Sequence, residues 1–266
     1  MIFSLFDCNY TYEKILSYLC RPFYKPIITM NFNSRNSQFS MTIVGHILML
    51  NIIMWLATIA LERMFHFNLT DLLAMRYWRS SDFHIFQPIT YMFMHDTSNI
   101  THIFCNMFAL FMFGRGFEQI WGGKKFLFFY LFSGLGAALI QQVTWEMTYQ
   151  HLIAGLNGAD LTPDIGQLRV WIDALKTVGA SGCIFGLLLA FGWMFPEQSI
   201  FLMFIPIPIP ARWFVAGYAV IELIAGVGNF RFDNVAHFAH LGGMLFALFI
   251  LLYWKKRGAL FNDRIK

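Results

Sequence analysis

Six stretches with little or no charge, each close to the length that crosses a lipid bilayer, constrain this 266-residue chain more than any other feature. The clearest is Thr42–Leu61, twenty residues without Asp, Glu, Lys or Arg. A helix rising ~1.5 Å per residue needs about that many to span ~30 Å of hydrocarbon. Thr101 to about Trp121, Phe126–Trp145, Thr177–Phe195, the shorter Trp213–Val227 and Val235–Trp254 follow. Hydrocarbon offers no water to satisfy backbone N–H and C=O groups, so apolar stretches of this length are helices. The expected fold is therefore an all-α membrane protein, a six-transmembrane-helix bundle. Composition agrees, with 58% of residues hydrophobic and 13% charged, against about 25% charged in soluble domains. The net charge of +4 comes from basic residues between the spans. It reports orientation and contact with membrane lipid, and no basic patch with interleaved aromatics points to nucleic acid.

Six spans put both termini on one side of the membrane. Thirteen of the 19 Lys and Arg residues fall on that side, which makes both termini cytosolic. The chain then divides into a cytosolic N-terminal extension over residues 1–40, the bundle over 41–255 and a basic cytosolic tail over 256–266. No basic residue precedes the apolar run Ile2–Phe6, unlike a secretory signal, and the expected location is a bacterial inner (plasma) membrane. Cys8 and Cys20 lie in the extension and Cys105 and Cys183 inside spans, a usage that describes no disulfide scaffold. The first loop, from Glu62 to about Asn99, is long and aromatic and reads as partly membrane-embedded. A polar loop with Asn157, Asp160, Pro163, Asp164 and Asp173 leads to the fourth span. In Ile205–Pro210 proline alternates with isoleucine, which forces an extended connector.

Within the fourth span, Thr177-Val-Gly-Ala-Ser-Gly-Cys-Ile-Phe-Gly186 flanks one hydroxyl with glycines. Gly179 and Gly182 clear space around Ser181, which suits either a small-residue packing seam or an accessible nucleophile. A nucleophilic serine needs a base. With the topology above, Ser181 lies roughly 6 Å into its helix and His240 roughly 7.5 Å into the sixth, from the same face. Gly182 and Gly186 on one helix, and Gly243 and Ala247 beyond His240 on the other, allow close packing. His102 and Asn106 share a face of the second span near that depth. Polar groups gathered inside a membrane are functional candidates by default. Ser181 would attack a carbonyl, and His240 would take its proton and pass it to the leaving amine. His102, Asn106 and the Ser181 backbone N–H would hold the oxyanion. No acid presents itself to complete a triad, so the expectation is a Ser–His dyad.

Gly179-Ala-Ser-Gly182, Ala239-His-Leu-Gly-Gly243 and the His102-xxx-Asn106 pair, in that arrangement of spans, resemble the rhomboid family of intramembrane serine proteases. The resemblance covers roughly Thr42 to Trp254. It implies a six-helix bundle with a water-filled cavity open to the outer face, Ser181 as nucleophile, His240 as base and His102 with Asn106 as oxyanion donors. It implies transmembrane protein substrates and no cofactor. Phe185 falls where such proteases carry an aromatic against the catalytic histidine. Two features depart from the family pattern: Ala247 stands where a glycine is usual, and Trp78-Arg79 lies eight residues before the position of the family's tryptophan–arginine pair, which here is Phe86-Gln87.

Rival readings are weighed on the same residues. His237 and His240 could begin a metal site, but no third ligand at useful spacing accompanies them and His-Glu-xx-His is absent. His237 is expected to face water or loop, and His84 and His95 to be structural hydrogen-bonding residues of the first loop. Glu118 is expected to pair with Arg115. For Glu222, burial as the neutral acid, pairing, or a place near the interface all remain open. A catalytically inactive rhomboid-like membrane-protein binder or chaperone is the alternative function, yet relatives of that kind lack the serine or the histidine. A transporter would line both halves of the membrane with polar groups, whereas here they gather at one face.

Overall fold

The computed structural model describes residues 42–158, 165–202, 205–228 and 236–261. The N-terminal extension and residues 262–266 of the tail lie outside the described residues. In chain order the main apolar helices are α1 (Ile43–Phe65), α2 (Ile100–Trp121), α3 (Gly123–Gly158), α4 (Ser181–Met194), α5 (Ala211–Gly228) and α6 (His237–Lys256). All but α4 are long and apolar enough to cross a membrane. The protein is an integral, multi-pass helical membrane bundle.

The difference from expectation at α4 is informative. Thr177 was to open that helix, but Lys176–Thr177 (β2) pairs antiparallel with Met75–Arg76 (β1) of the first loop. Gly179 then turns the chain at φ +133, a conformation that costs glycine little and other residues much. The helix therefore begins at Ser181 itself. Its 14 residues span only about 21 Å. Non-helical backbone at this level is tolerated because protein surrounds it: Gly179 donates its N–H to the Tyr91 carbonyl at 3.0 Å.

Small residues bring α3, α4 and α6 together. A Cβ on Gly243 would lie 2.0 Å from the Gly182 carbonyl oxygen, so the backbones of α4 and α6 touch. A Cβ on Gly186 would meet Ser133 Oγ of α3 at 2.6 Å and the Ala247 methyl at 3.3 Å. The expected seam of Gly182 and Gly186 against Gly243 and Ala247 is present, and Ala247 is accommodated without loosening it. On the other side of α6, Gly136 accepts the Phe246 ring and Gly242 the Ile140 side chain. Close backbone approach maximises dispersion contact, the main source of cohesion where lipid removes the hydrophobic contrast.

The first loop is packed into the bundle, with Met75, Tyr77, Met92 and Met94 fully buried. Glu146 of α3 anchors it, accepting from Tyr77 Oη at 2.6 Å, Trp78 Nε1 at 2.8 Å and Arg79 Nη2 at 2.7 Å. Burial and the Glu146 bond push the Tyr77 phenol up to about 12. Two expectations are corrected here and a third is met. Glu118 does not pair with Arg115; its carboxylate accepts the Ile43 and Val44 N–H groups at 2.7 and 2.9 Å, capping the positive end of α1. The region before β2 is not all loop, because Ile165–Ala174 is helical. Its Leu168, Trp171 and Ile172 fall at helical spacing and pack on the core. The proline-rich connector is indeed extended: Ile205–Pro210 (β4) pairs antiparallel with Ser199–Leu202 (β3).

Candidate active site

Ser181 is the first residue of α4. The N–H groups of the first helical turn have no partner in their own helix and point along the positive end of its dipole. Helical bonding resumes only where the Ile184 N–H meets the Ala180 carbonyl at 3.1 Å. The Ser181 hydroxyl therefore has a backbone donor beside it, as an oxyanion site would require. The expected depth of about 6 Å within the helix does not hold, because the residues that were to supply it are strand and turn.

His240 lies one turn into α6. Its Nε2 stands 2.8 Å from Ser181 Oγ, and the Phe185 ring stacks on its imidazole with centroids 4.1 Å apart and planes 7° apart. The contact of the Gly182 and Gly243 backbones brings the two helices close enough for this bond. His102 reaches the same place from α2. A Cβ on Gly179 would sit 3.1 Å from His102 Nε2 and 3.5 Å from Ser181 Oγ, so both atoms border the space glycine leaves empty. The Asp96 backbone N–H donates to His102 Nδ1 at 3.4 Å, which leaves the ring proton on Nε2, facing the serine. Asn106 is turned back on its own helix, with Nδ2 donating to the His102 carbonyl at 2.8 Å. One amide hydrogen remains, and its buried Oδ1 has no partner among the described residues.

The residue that the reading of the sequence left without a role is Glu222. It sits on α5, 5% exposed. Its Oε2 accepts from His240 Nδ1 at 3.0 Å and from His237 Nδ1 at 2.6 Å. A carboxylate thus stands on the Nδ1 side of His240, where the sequence alone presents no acid. His237 does not face water either; its side chain is 12% exposed and engaged with Glu222. The signal that could have found Glu222 is its being a lone acid in an apolar span. Spacing could not, because the register between α5 and α6 is set by packing across a connection and not by position along either helix.

Glu222, His237 and His240 also supply the third ligand type that the metal reading lacked, with donor atoms within 4.8 Å of one another. Their contacts of 2.6 and 3.0 Å are hydrogen-bond distances, shorter than the ~3.3 Å between donors on a tetrahedral zinc ion. His95 and His84 do not serve as expected hydrogen-bonding residues. His95 is fully buried, neither ring nitrogen has a partner among the described residues, and its ring lies 5.2 Å from that of His102. Burial, with His102 adding to it, pushes the His95 imidazole down to about 3, so it is neutral. The His84 ring stacks on Phe86 at 5.2 Å.

Comparison with known proteins bears on this geometry. The chain is 32% identical over 171 residues to "Rhomboid protease AarA" of Providencia stuartii, covering 61% of this chain and 53% of that protein. It is 28% identical over 155 residues to "Rhomboid protein 1, mitochondrial" of Saccharomyces cerevisiae, covering 58% and 38%. It is 28% identical over 169 residues to the bovine "Presenilin-associated rhomboid-like protein, mitochondrial", covering 60% and 37%. The matches thus span about half or less of each relative's length. The model of the Rhomboid domain matches residues 82–257, a stretch that contains Ser181, His240, His102, Asn106 and Glu222, and this chain belongs to the rhomboid family.

Proposed function

We propose that this protein is an intramembrane serine endopeptidase that hydrolyses peptide bonds in or near transmembrane segments of membrane-protein substrates. The observation that carries the reading is the 2.8 Å approach of Ser181 Oγ to His240 Nε2 beneath the Phe185 ring. Oγ attacks the scissile carbonyl as its proton passes to Nε2, and negative charge develops on the carbonyl oxygen. The Ser181 backbone N–H and the Nε2 proton of His102 are placed to receive it, with the free amide hydrogen of Asn106 as a further donor. His240 then protonates the leaving nitrogen as the C–N bond breaks, and water, deprotonated by the same base, releases the acyl group. The Ser181 end of α4 meets the first-loop strand, so the substrate is cut near the outer end of its helix, where unwinding exposes a carbonyl. The excess of basic residues on the other face supports a cytosolic position for both termini.

Fluorophosphonate labelling of the protein in proteoliposomes tests this. The parent chain is labelled and cleaves a transmembrane substrate. Ser181→Ala and His240→Ala lose both activities, and His102→Ala slows turnover by about 10²–10³. His237→Ala slows turnover by less than about tenfold. A parent chain that resists the probe and cuts nothing, while still binding membrane proteins, would establish the inactive rhomboid-like alternative.

A further inference from the structure

Resting on the serine-hydrolase reading, we infer that Glu222 is a positioning residue for the reaction. It is the acid that fixes the tautomer and rotation of His240, so that the machinery is a Ser181–His240–Glu222 relay supplied by three different helices. A carboxylate only accepts hydrogen bonds. The 3.0 Å contact to His240 Nδ1 therefore requires the proton on Nδ1, which leaves the Nε2 lone pair facing Ser181 Oγ. Stacking on Phe185 cannot do this alone. It fixes the plane of the imidazole, yet a half-turn of the ring within its slot keeps the plane and removes Nε2 from the serine.

The surroundings of Glu222 make a bystander role costly. Its neighbours along α5, Ile221, Leu223 and Ile224, are 60%, 49% and 60% exposed, as lipid-facing residues are. One carboxylate turned inward from such a helix must be satisfied by partners, and its partners are the two histidines of α6. His237 takes the same oxygen at 2.6 Å. That second bond holds the carboxylate in place while His240 takes up and releases a proton. As Oγ forms its bond to the carbonyl carbon, the proton goes to Nε2 and stays on the imidazole until the leaving nitrogen takes it. Glu222 gains no proton; it stabilises the imidazolium across the Nδ1–H bond.

The test measures kcat, KM, fluorophosphonate labelling rate and thermal unfolding for the full chain in proteoliposomes, with Glu222→Gln, Glu222→Asp and Ser181→Ala alongside the parent. Glu222→Gln keeps shape and volume but can present an amide N–H to Nδ1 and hold the wrong tautomer. It lowers kcat by about 10²-fold or more. KM stays within about threefold, labelling slows in parallel, and the unfolding temperature is kept. Glu222→Asp restores at least about a tenth of the parent kcat. The inference is overturned by a Glu222→Gln protein with kcat near that of the parent. It is equally overturned if Gln and Asp lose activity alike and in step with a fall in unfolding temperature, the pattern of a residue that only holds α5 down. In both cases the parent is still labelled and Ser181→Ala is not, so the serine-hydrolase reading stands. Loss of that contrast sinks the reading itself, and this inference with it.

Discussion

The two helices that flank the site from α4 are built on opposite plans. In α6, Ala239, Gly242, Gly243, Met244, Ala247, Ile250, Leu251 and Trp254 are buried, and at Gly243 the backbone itself touches α4. In α5, only Ala211, Val215 and Glu222 are buried, while Trp213, Val220, Ile221 and Ile224 are more than half exposed. His240 sits on the tightly packed helix. Glu222 behind it sits on the loosely packed one. On the proposed function, such a bundle separates two demands, placing the reacting atoms on a seam and the access on a face held by few contacts. The cost is that the proposed base is oriented by a group on the less firmly packed helix.

The largest effect should come from the seam. A valine at Gly243 places its Cβ 2.0 Å from the Gly182 carbonyl oxygen, a backbone atom that no side-chain rotation can move aside. The helices must separate, and the bond from Ser181 to His240 is lost with them. Gly243→Val is expected to abolish turnover and labelling and to cost about 3 kcal/mol or more. Retained labelling at the parent rate would show that the seam does not set the catalytic distance. Phe185 comes next, because it touches both helices, stacking on His240 at 4.1 Å and packing at a tilt against Tyr218 of α5 with ring centroids 5.2 Å apart. Phe185→Ala should cost about 3 kcal/mol and lower turnover by about 10²-fold through misplacement of the ring. An unfolding temperature that drops while turnover holds would assign Phe185 to packing alone.

The same contrast explains what could be read from the sequence. Ser181, His240 and the small residues around them were legible because a seam writes itself along each helix at fixed spacing, and close approach admits few residue types. Apolar length with little or no charge marked α1, α2, α3 and α6 for a related reason. Glu222 was visible as an anomaly but not as a partner, since its contact depends on how α5 happens to dock. The start of α4 was misplaced because β1, a hundred residues earlier in the chain, competes for Lys176 and Thr177. The helix at Ile165–Ala174 was obscured by its polar surroundings, including an acid that turns out to serve it: Asp173 accepts from Ser80 Oγ at 2.7 Å and from Arg169 Nε at 3.1 Å.

A smaller effect is expected where α4 meets α5. A methyl at Gly192 would lie 2.7 Å from Val215 Cγ2, a clash nearly as close in kind as those of the seam. Here, though, the obstructing atom belongs to a helix with few other contacts to hold it. Gly192→Ala is expected to shift α5 and to cost about 1 kcal/mol. Its unfolding temperature should fall by clearly less than that of Gly243→Val. Equal falls in the two variants would mean that α5 is as firmly seated as α6, and the contrast would be gone.

The smallest expected effect tests the loose face directly. Trp213 is 65% exposed near the start of α5, and its ring has the Arg212 guanidinium 5.5 Å above it. Removing a side chain that faces lipid leaves almost no cavity, so Trp213→Ala should change stability by no more than about 0.5 kcal/mol. A fluorophosphonate is small and reaches Ser181 without displacing a helix, so its labelling rate should match that of the parent. If a transmembrane substrate enters past α5, its cleavage should rise or stay level when bulk is removed from that face. Measuring both rates on one preparation separates access from chemistry. Slower cleavage of the transmembrane substrate with unchanged labelling would mean that Trp213 helps to hold the substrate, and that the exposed side of α5 is a binding surface instead of an obstacle.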